Sequence, residues 1–127
     1  MLHCLPELQP LLRKVHHALR SDGLLVFSVE HPVITSCDRA WQGQGLCQEW
    51  IVDDYFRTGE RVTDWIGSRV TKYHRTVEDY FIALQSAAFR VESLRESKSE
   101  REYFVTDEDF ARRQRIPPFL LMAACKA

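Results

Sequence analysis

The fold class predicted here is an α/β sandwich, a sheet covered by helices, and three observations carry it. Leu8, Leu11, Leu12, Val15, Ala18 and Leu19 recur at helical spacing and make one apolar face. Ser21-Asp22-Gly23 then stops the helix, and Leu24–Val29 follows as a short, almost wholly apolar run. The alternation repeats downstream. A capped helix opens at Thr76, a strand runs from Phe89 to Leu94, a short helix follows Thr106, and a last strand runs from Phe119 to Cys125.

The first helix begins near Leu8 or Gln9, with Pro10 where its missing N–H costs least. Lys14, His16, His17 and Arg20 lie mostly off the apolar face. His16 and His17 are adjacent, so they point about 100° apart and cannot converge on one metal. Gly23 suits a left-handed C-cap. The run Leu24–Val29 predicts a strand buried on both faces, as in parallel sheets. Glu30, His31 and Pro32 stand at its carboxyl end, where ligands bind in open α/β sheets. From Ile34 to Lys72 the pattern turns irregular and aromatic. Two strands around Arg57-Thr58-Gly59, namely 50–56 and 60–65, predict a hairpin. Thr76 caps the next helix with Asp79 at the capping-box position, and Val77, Tyr80, Phe81, Leu84 and Ala88 form its apolar face. Arg95–Glu102 reads as a solvated loop, and Thr106 caps a helix that Pro117-Pro118 cannot continue.

The 127 residues predict one domain, 1–127, with 34–72 as an insertion. A hydrophobic share of 45% supports a core and argues against disorder. A net charge of −1 points to neither nucleic acid nor an anionic membrane. No stretch approaches a membrane span, and no basic-then-apolar leader opens the sequence, so a cytoplasmic location is expected. Cys4, Cys37, Cys47 and Cys125 lack metal-ligand spacing, so no metal site and free thiols are expected.

Leu19-Arg20-Ser21-Asp22-Gly23 resembles the "LRPGG"-like turn that feeds the fifth strand of class I S-adenosylmethionine-dependent methyltransferases, of the type 11/12 kind. The resemblance continues through Trp65, His74-Arg75-Thr76, Ala87-Ala88-Phe89 and Ile116-Pro117-Pro118-Phe119-Leu120-Leu121, covering nearly the whole chain. The glycine-rich cofactor loop of that family has no counterpart here. The chain therefore resembles the C-terminal half of such an enzyme. The resemblance implies a partial Rossmann-like methyltransferase sheet, with the last strand antiparallel between the other two. It implies S-adenosylmethionine as cofactor of a complete enzyme, with weak or no binding by this chain.

Methyl transfer requires an aligned acceptor and, for some acceptors, a group that takes its proton. Glu30 and His31 are the candidates for that role, against a purely turn-forming one. The resemblance places Leu2 and His3 beside the cofactor; the alternative is a frayed terminus. It makes Trp41, Trp50, Tyr55, Trp65 and Tyr73 candidate walls for a small-molecule substrate, against simple packing of the insertion. His74 and Arg75 are a candidate pair for an anionic substrate, against helix capping and a surface ion pair. A non-catalytic methyltransferase-like interaction module is the alternative function. The strand Leu24–Val29 has no assigned partner on one side, and a homodimer through that edge is expected.

Overall fold

The computed structural model describes residues 2–39, 41–44 and 48–127. A 3-10 turn, Leu2–Cys4, leads into α1 (Gln9–Ala18), β1 (Leu24–Glu30) and the short α2 (Pro32–Thr35). The pair β2 (Trp41–Gln42) and β3 (Glu49–Trp50) precedes a hairpin of β4 (Gly59–Trp65) and β5 (Ser68–His74). Then come α3 (Val77–Ser86), β6 (Phe89–Glu96), α4 (Asp107–Arg113) and β7 (Phe119–Lys126).

The main sheet has the order β1-β7-β6, with β7 antiparallel to both neighbours. This is the arrangement the resemblance implies. Leu25, Phe27 and Val29 face the same side as their register partners Ala124, Met122 and Leu120. On that side α1 and α3 contribute Leu12, Tyr80 and Leu84, closing one core with Val29, Leu120, Met122 and Phe89.

The opposite side corrects an expectation. Strand β1 is buried on one face only. Leu24 and Val26 are 54% and 62% exposed, and Phe119 and Leu121 of β7 share that open face. The helices that precede β1 and β6, α1 and α3, pack on the same side, so an apolar run here does not signal two covered faces.

The stop after α1 also differs in detail. The left-handed residue is Asp22, with φ of 63°. Gly23 is required by close approach instead, because a Cβ there would lie 2.8 Å from the Arg20 carbonyl oxygen. Lys126 Nζ donates to the Leu19 carbonyl at 2.7 Å and satisfies the helix end.

In α3 the capping box forms as expected: Asp79 N–H donates to Thr76 Oγ1 at 3.1 Å, and Thr76 N–H donates to Asp79 Oδ2 at 3.0 Å. The buried face uses Tyr80 and Leu84, with Ala87 at its end, whereas Phe81 and Ala88 are exposed. The expected loop from Arg95 begins two residues later, because Arg95 and Glu96 extend β6 along β7.

The hairpin is displaced. Gly59 starts a strand rather than closing a turn, and the chain reverses at Ile66-Gly67, both with positive φ. A two-residue loop with both residues left-handed matches strand twist, yet Ile-Gly lacks the Asn or Asp that usually marks it. Residues 51–56 form no strand; of the expected first strand only Trp50 pairs, with Trp41.

Candidate functional site

The carboxyl end of β1 is where the short elements converge. Gly23 accepts from Lys126 N–H at 2.9 Å, and His31 N–H donates to the Pro118 carbonyl at 3.0 Å. With the register this fixes the alternation of an antiparallel ladder. Leu25, Phe27 and Val29 point their backbone groups at β7, while Leu24, Val26, Ser28 and Glu30 point theirs away. The outward N–H of Glu30 donates to His3 Nδ1 at 3.3 Å. His3 is therefore buried against the strand end and not frayed. Burial lowers its pKa, the Glu30 carboxylate opposes that, and Lys72 adds to it. The neutral ring then carries its hydrogen on Nε2.

Glu30 itself meets β5. Lys72 Nζ donates to both carboxylate oxygens, at 2.8 and 2.7 Å, in a largely covered pair. His31 turns the other way. Its Nδ1 accepts from Val33 N–H at 3.1 Å and caps α2, where Pro32 occupies the first turn. Its Nε2 then donates to Glu96 Oε2 on β6, 2.7 Å away. Glu30 and His31 are both placed at the strand end, each already engaged by a residue far away in sequence.

His74 is fully buried and ties three segments. Its Nε2 donates to the Tyr55 carbonyl at 2.7 Å, and its Nδ1 lies 2.7 Å from Thr35 Oγ1. Desolvation lowers its pKa, and the bond to Tyr55 opposes this. The Tyr55 ring packs edge-on against His74, and its hydroxyl accepts from Val77 N–H at 3.3 Å. Arg75 Nη2 donates to the Leu5 carbonyl at 2.6 Å.

The aromatic candidates separate into two groups. Trp41 and Trp50 stack edge-to-face with centroids 5.5 Å apart, and Trp50 Nε1 donates to the Val33 carbonyl at 2.7 Å. Arg112 and Arg115 lie over Trp41. The Tyr55 ring lies against His74, and Tyr73, His74 and Arg75 line one cleft. The Trp65 side chain lies outside the described residues. A cleft of about 330 Å³ joins Trp50, Lys72, Ile34, Asp38 and Thr63. A second, of about 410 Å³, lies between the starts of α1 and α3 and takes in Tyr73, His74 and Arg75.

Sequence reasoning missed Lys72, Glu96, Thr35 and Gln9. Lys72 stands in the alternating run Ser68–Tyr73, a strand signal that names its element but not its partner. Among the described residues no group of three His, Cys, Asp or Glu could hold a metal. Cys4, Cys37 and Cys125 are free, and Cys47 lies outside the described residues. No described helix is long and apolar enough to cross a membrane.

Two solved structures are similar to this chain. One is a Listeria monocytogenes protein proposed to be an S-adenosylmethionine-dependent methyltransferase, at a TM-score of 0.84 and 32% identity, covering 100% of this chain and 58% of that one. The other is an S-adenosylmethionine-dependent methyltransferase from Mesorhizobium loti, at 0.86 and 33% identity, covering 98% of this chain and 58% of that one. The chain has the fold of part of a methyltransferase. A Haemophilus influenzae protein of uncharacterised role is 29% identical over 98% of this chain. The chain spans half the length of that relative, 50%. No family model matches.

Proposed function

We propose that this chain is the C-terminal part of an S-adenosylmethionine-dependent methyltransferase of the type 11/12 kind, acting on a small-molecule acceptor. The observation that carries the reading is the full-length superposition on two such proteins at 32% and 33% identity, each extending well beyond it. The sheet order with β7 antiparallel in the middle supports it.

S-adenosylmethionine would supply the activated methyl group and its own leaving group. Of the described residues, Leu2 and His3 suit one wall of its site: Leu2 packs on the core, and neutral His3 keeps an Nε2–H donor. They do not form a cofactor cradle alone, since no glycine-rich turn precedes a helix in this sequence. Glu30, with Lys72, and His31 are proposed to border the acceptor. Trp50 beside Lys72 in one cleft supports an acceptor that carries both apolar and polar groups.

Calorimetric titration of S-adenosylmethionine into the 127-residue chain tests the division of labour. The expected result is no saturable binding at micromolar concentration; micromolar affinity would contradict it.

A second reading, a module that binds a partner through β1, is favoured by the open backbone groups of that strand. The partner we propose for the isolated chain is a second copy, paired about a two-fold axis.

A further inference from the structure

The hairpin β4–β5 turns one face toward the end of β1 and α2. Arg61, Lys72 and His74 share that face, since Arg61 pairs with Lys72 and Gly59 with His74 in the register. Their side chains reach the Ser36 carbonyl, the Glu30 carboxylate and the Thr35 hydroxyl in turn. Arg61 and Lys72 are thus direct cross-strand neighbours, with Cβ atoms about 4.5–5.5 Å apart. Like charges so placed repel unless anions stand beside them.

Lys72 has such an anion in Glu30. Arg61 has none: among the described residues no carboxylate lies in salt-bridge range of it. Its Nε donates to the Ser36 carbonyl at 3.0 Å, and its Nη2 donates to the Asp54 and Arg57 carbonyls. Nη1 reaches only the Glu60 carbonyl, at a long 3.4 Å, so at least one of its N–H groups is unspent. Lys72 spends at most two of its three N–H groups on Glu30. Burial, and after it Arg57, lowers the Arg61 pKa, as expected for a cation that has lost water without gaining a counter-ion. Both side chains line one cleft of about 260 Å³. Arg57 lines it too, but is largely exposed and faced by Asp54 at 3.6 Å. Its two acidic residues are both exposed: Asp38, and Glu60, whose side chain belongs to the other face of the hairpin. The cleft of about 330 Å³ shares Ile34, Asp38, Thr63 and Lys72 with this one and adds Trp50. Trp50 Nε1 is spent on the Val33 carbonyl, so its ring offers a ligand apolar surface alone.

We propose that these two adjoining clefts bind an aromatic carboxylic acid, its carboxylate between Arg61 and Lys72 and its ring toward Trp50. The ligand carboxylate accepts the unspent N–H groups of both cations. It supplies the single negative charge that Arg61 lacks, whereas a phosphate dianion would bring a second charge up to Glu30. Ile34 and Trp50 take the apolar body, in keeping with small-molecule sites that are mostly apolar with a few placed polar groups. The inference deepens the proposed function by naming the class of acceptor, and it rests on the methyltransferase reading only for the word acceptor.

The test is a chemical-shift titration of the isotope-labelled 127-residue chain with 3-phenylpropanoate. Two controls each lack one feature: 3-phenylpropanamide has no charge, and acetate has no ring. The acid is expected to shift the amide signals of Val62, Thr63 and Lys72 saturably and to bind at least about tenfold more tightly than either control. Added salt should weaken the acid and leave the amide unchanged. Arg61→Gln and Lys72→Gln should each weaken binding by about tenfold or more at unchanged circular dichroism. Arg61 also ties three backbone carbonyls, so if Arg61→Gln fails to fold, Lys72→Gln decides alone. Absence of saturation overturns the proposal. So does equal binding of either control, or unchanged affinity in the variant that folds. No S-adenosylmethionine is present, so a failure here leaves the methyltransferase reading standing, and a failure of that reading leaves the carboxylate site standing.

Discussion

His74 shows how one side chain can hold an insertion to a sheet. Its two ring nitrogens join the end of α2 and the Tyr55 loop to β5. His74→Ala is expected to lower stability by about 1–3 kcal/mol, because it orphans the Thr35 hydroxyl and the Tyr55 carbonyl. Its pKa and that of His3 lie below the ordinary value of 6.5, burial being the main cause in both. The unfolded chain then binds more protons than the folded one as pH falls below that value. The contribution of these two groups is fully present above about pH 6.5 and is lost progressively as pH falls below it. Urea midpoints at about pH 8 and pH 5 check this: the midpoint should fall in acid, and fall less in His74→Asn. Ala88 offers a separate test. It sits just past α3 with φ of 64°, exposed and without a glycine's freedom. Ala88→Gly should stabilise by about 0.5–1 kcal/mol, read as a higher melting temperature. The caps at Thr76 and Thr106 were legible in the sequence because donor and acceptor lie three residues apart. The pairs Lys72–Glu30 and Glu96–His31 were not, because 42 and 65 residues separate them.

Among the elements, the two edge strands of the main sheet contrast. Strand β6 carries Arg90, Glu92, Arg95 and Glu96 and a register break between Val91 and Ser93, features that discourage further pairing. Strand β1 carries none of these before Glu30. The backbone groups of Leu24, Val26 and Ser28 face away from β7, and the first two side chains lie on the open apolar face. An antiparallel pair centred on Val26 sets Leu24 opposite Ser28 of the partner, so all three outward positions match under one two-fold axis. Light scattering over a range of concentrations is expected to show a dimer, and Val26→Lys to return a folded monomer. A wild-type chain that stays monomeric at high concentration would reject the pairing. Helix and strand identity followed from periodicity, but not which faces were covered. That depends on where α1 and α3 pack, which is a tertiary fact. The hairpin register was hidden likewise, because Ile66-Gly67 lacks the usual turn residue.

At the scale of the whole molecule, the open face and the open edge lie on the same strand. The similar structures extend well past this chain, which covers 58% of each. The resemblance in sequence anticipated the sheet order and the antiparallel last strand, and the structure carries both. The central claim, that this chain supplies one part of a methyltransferase, can be tested by joining it to the portion of the Mesorhizobium loti protein that it does not cover. Calorimetric titration of that folded chimaera with S-adenosylmethionine is the measurement. The account predicts saturable, one-to-one binding that the 127-residue chain lacks on its own. A chimaera that folds cooperatively and yet binds no S-adenosylmethionine would contradict it.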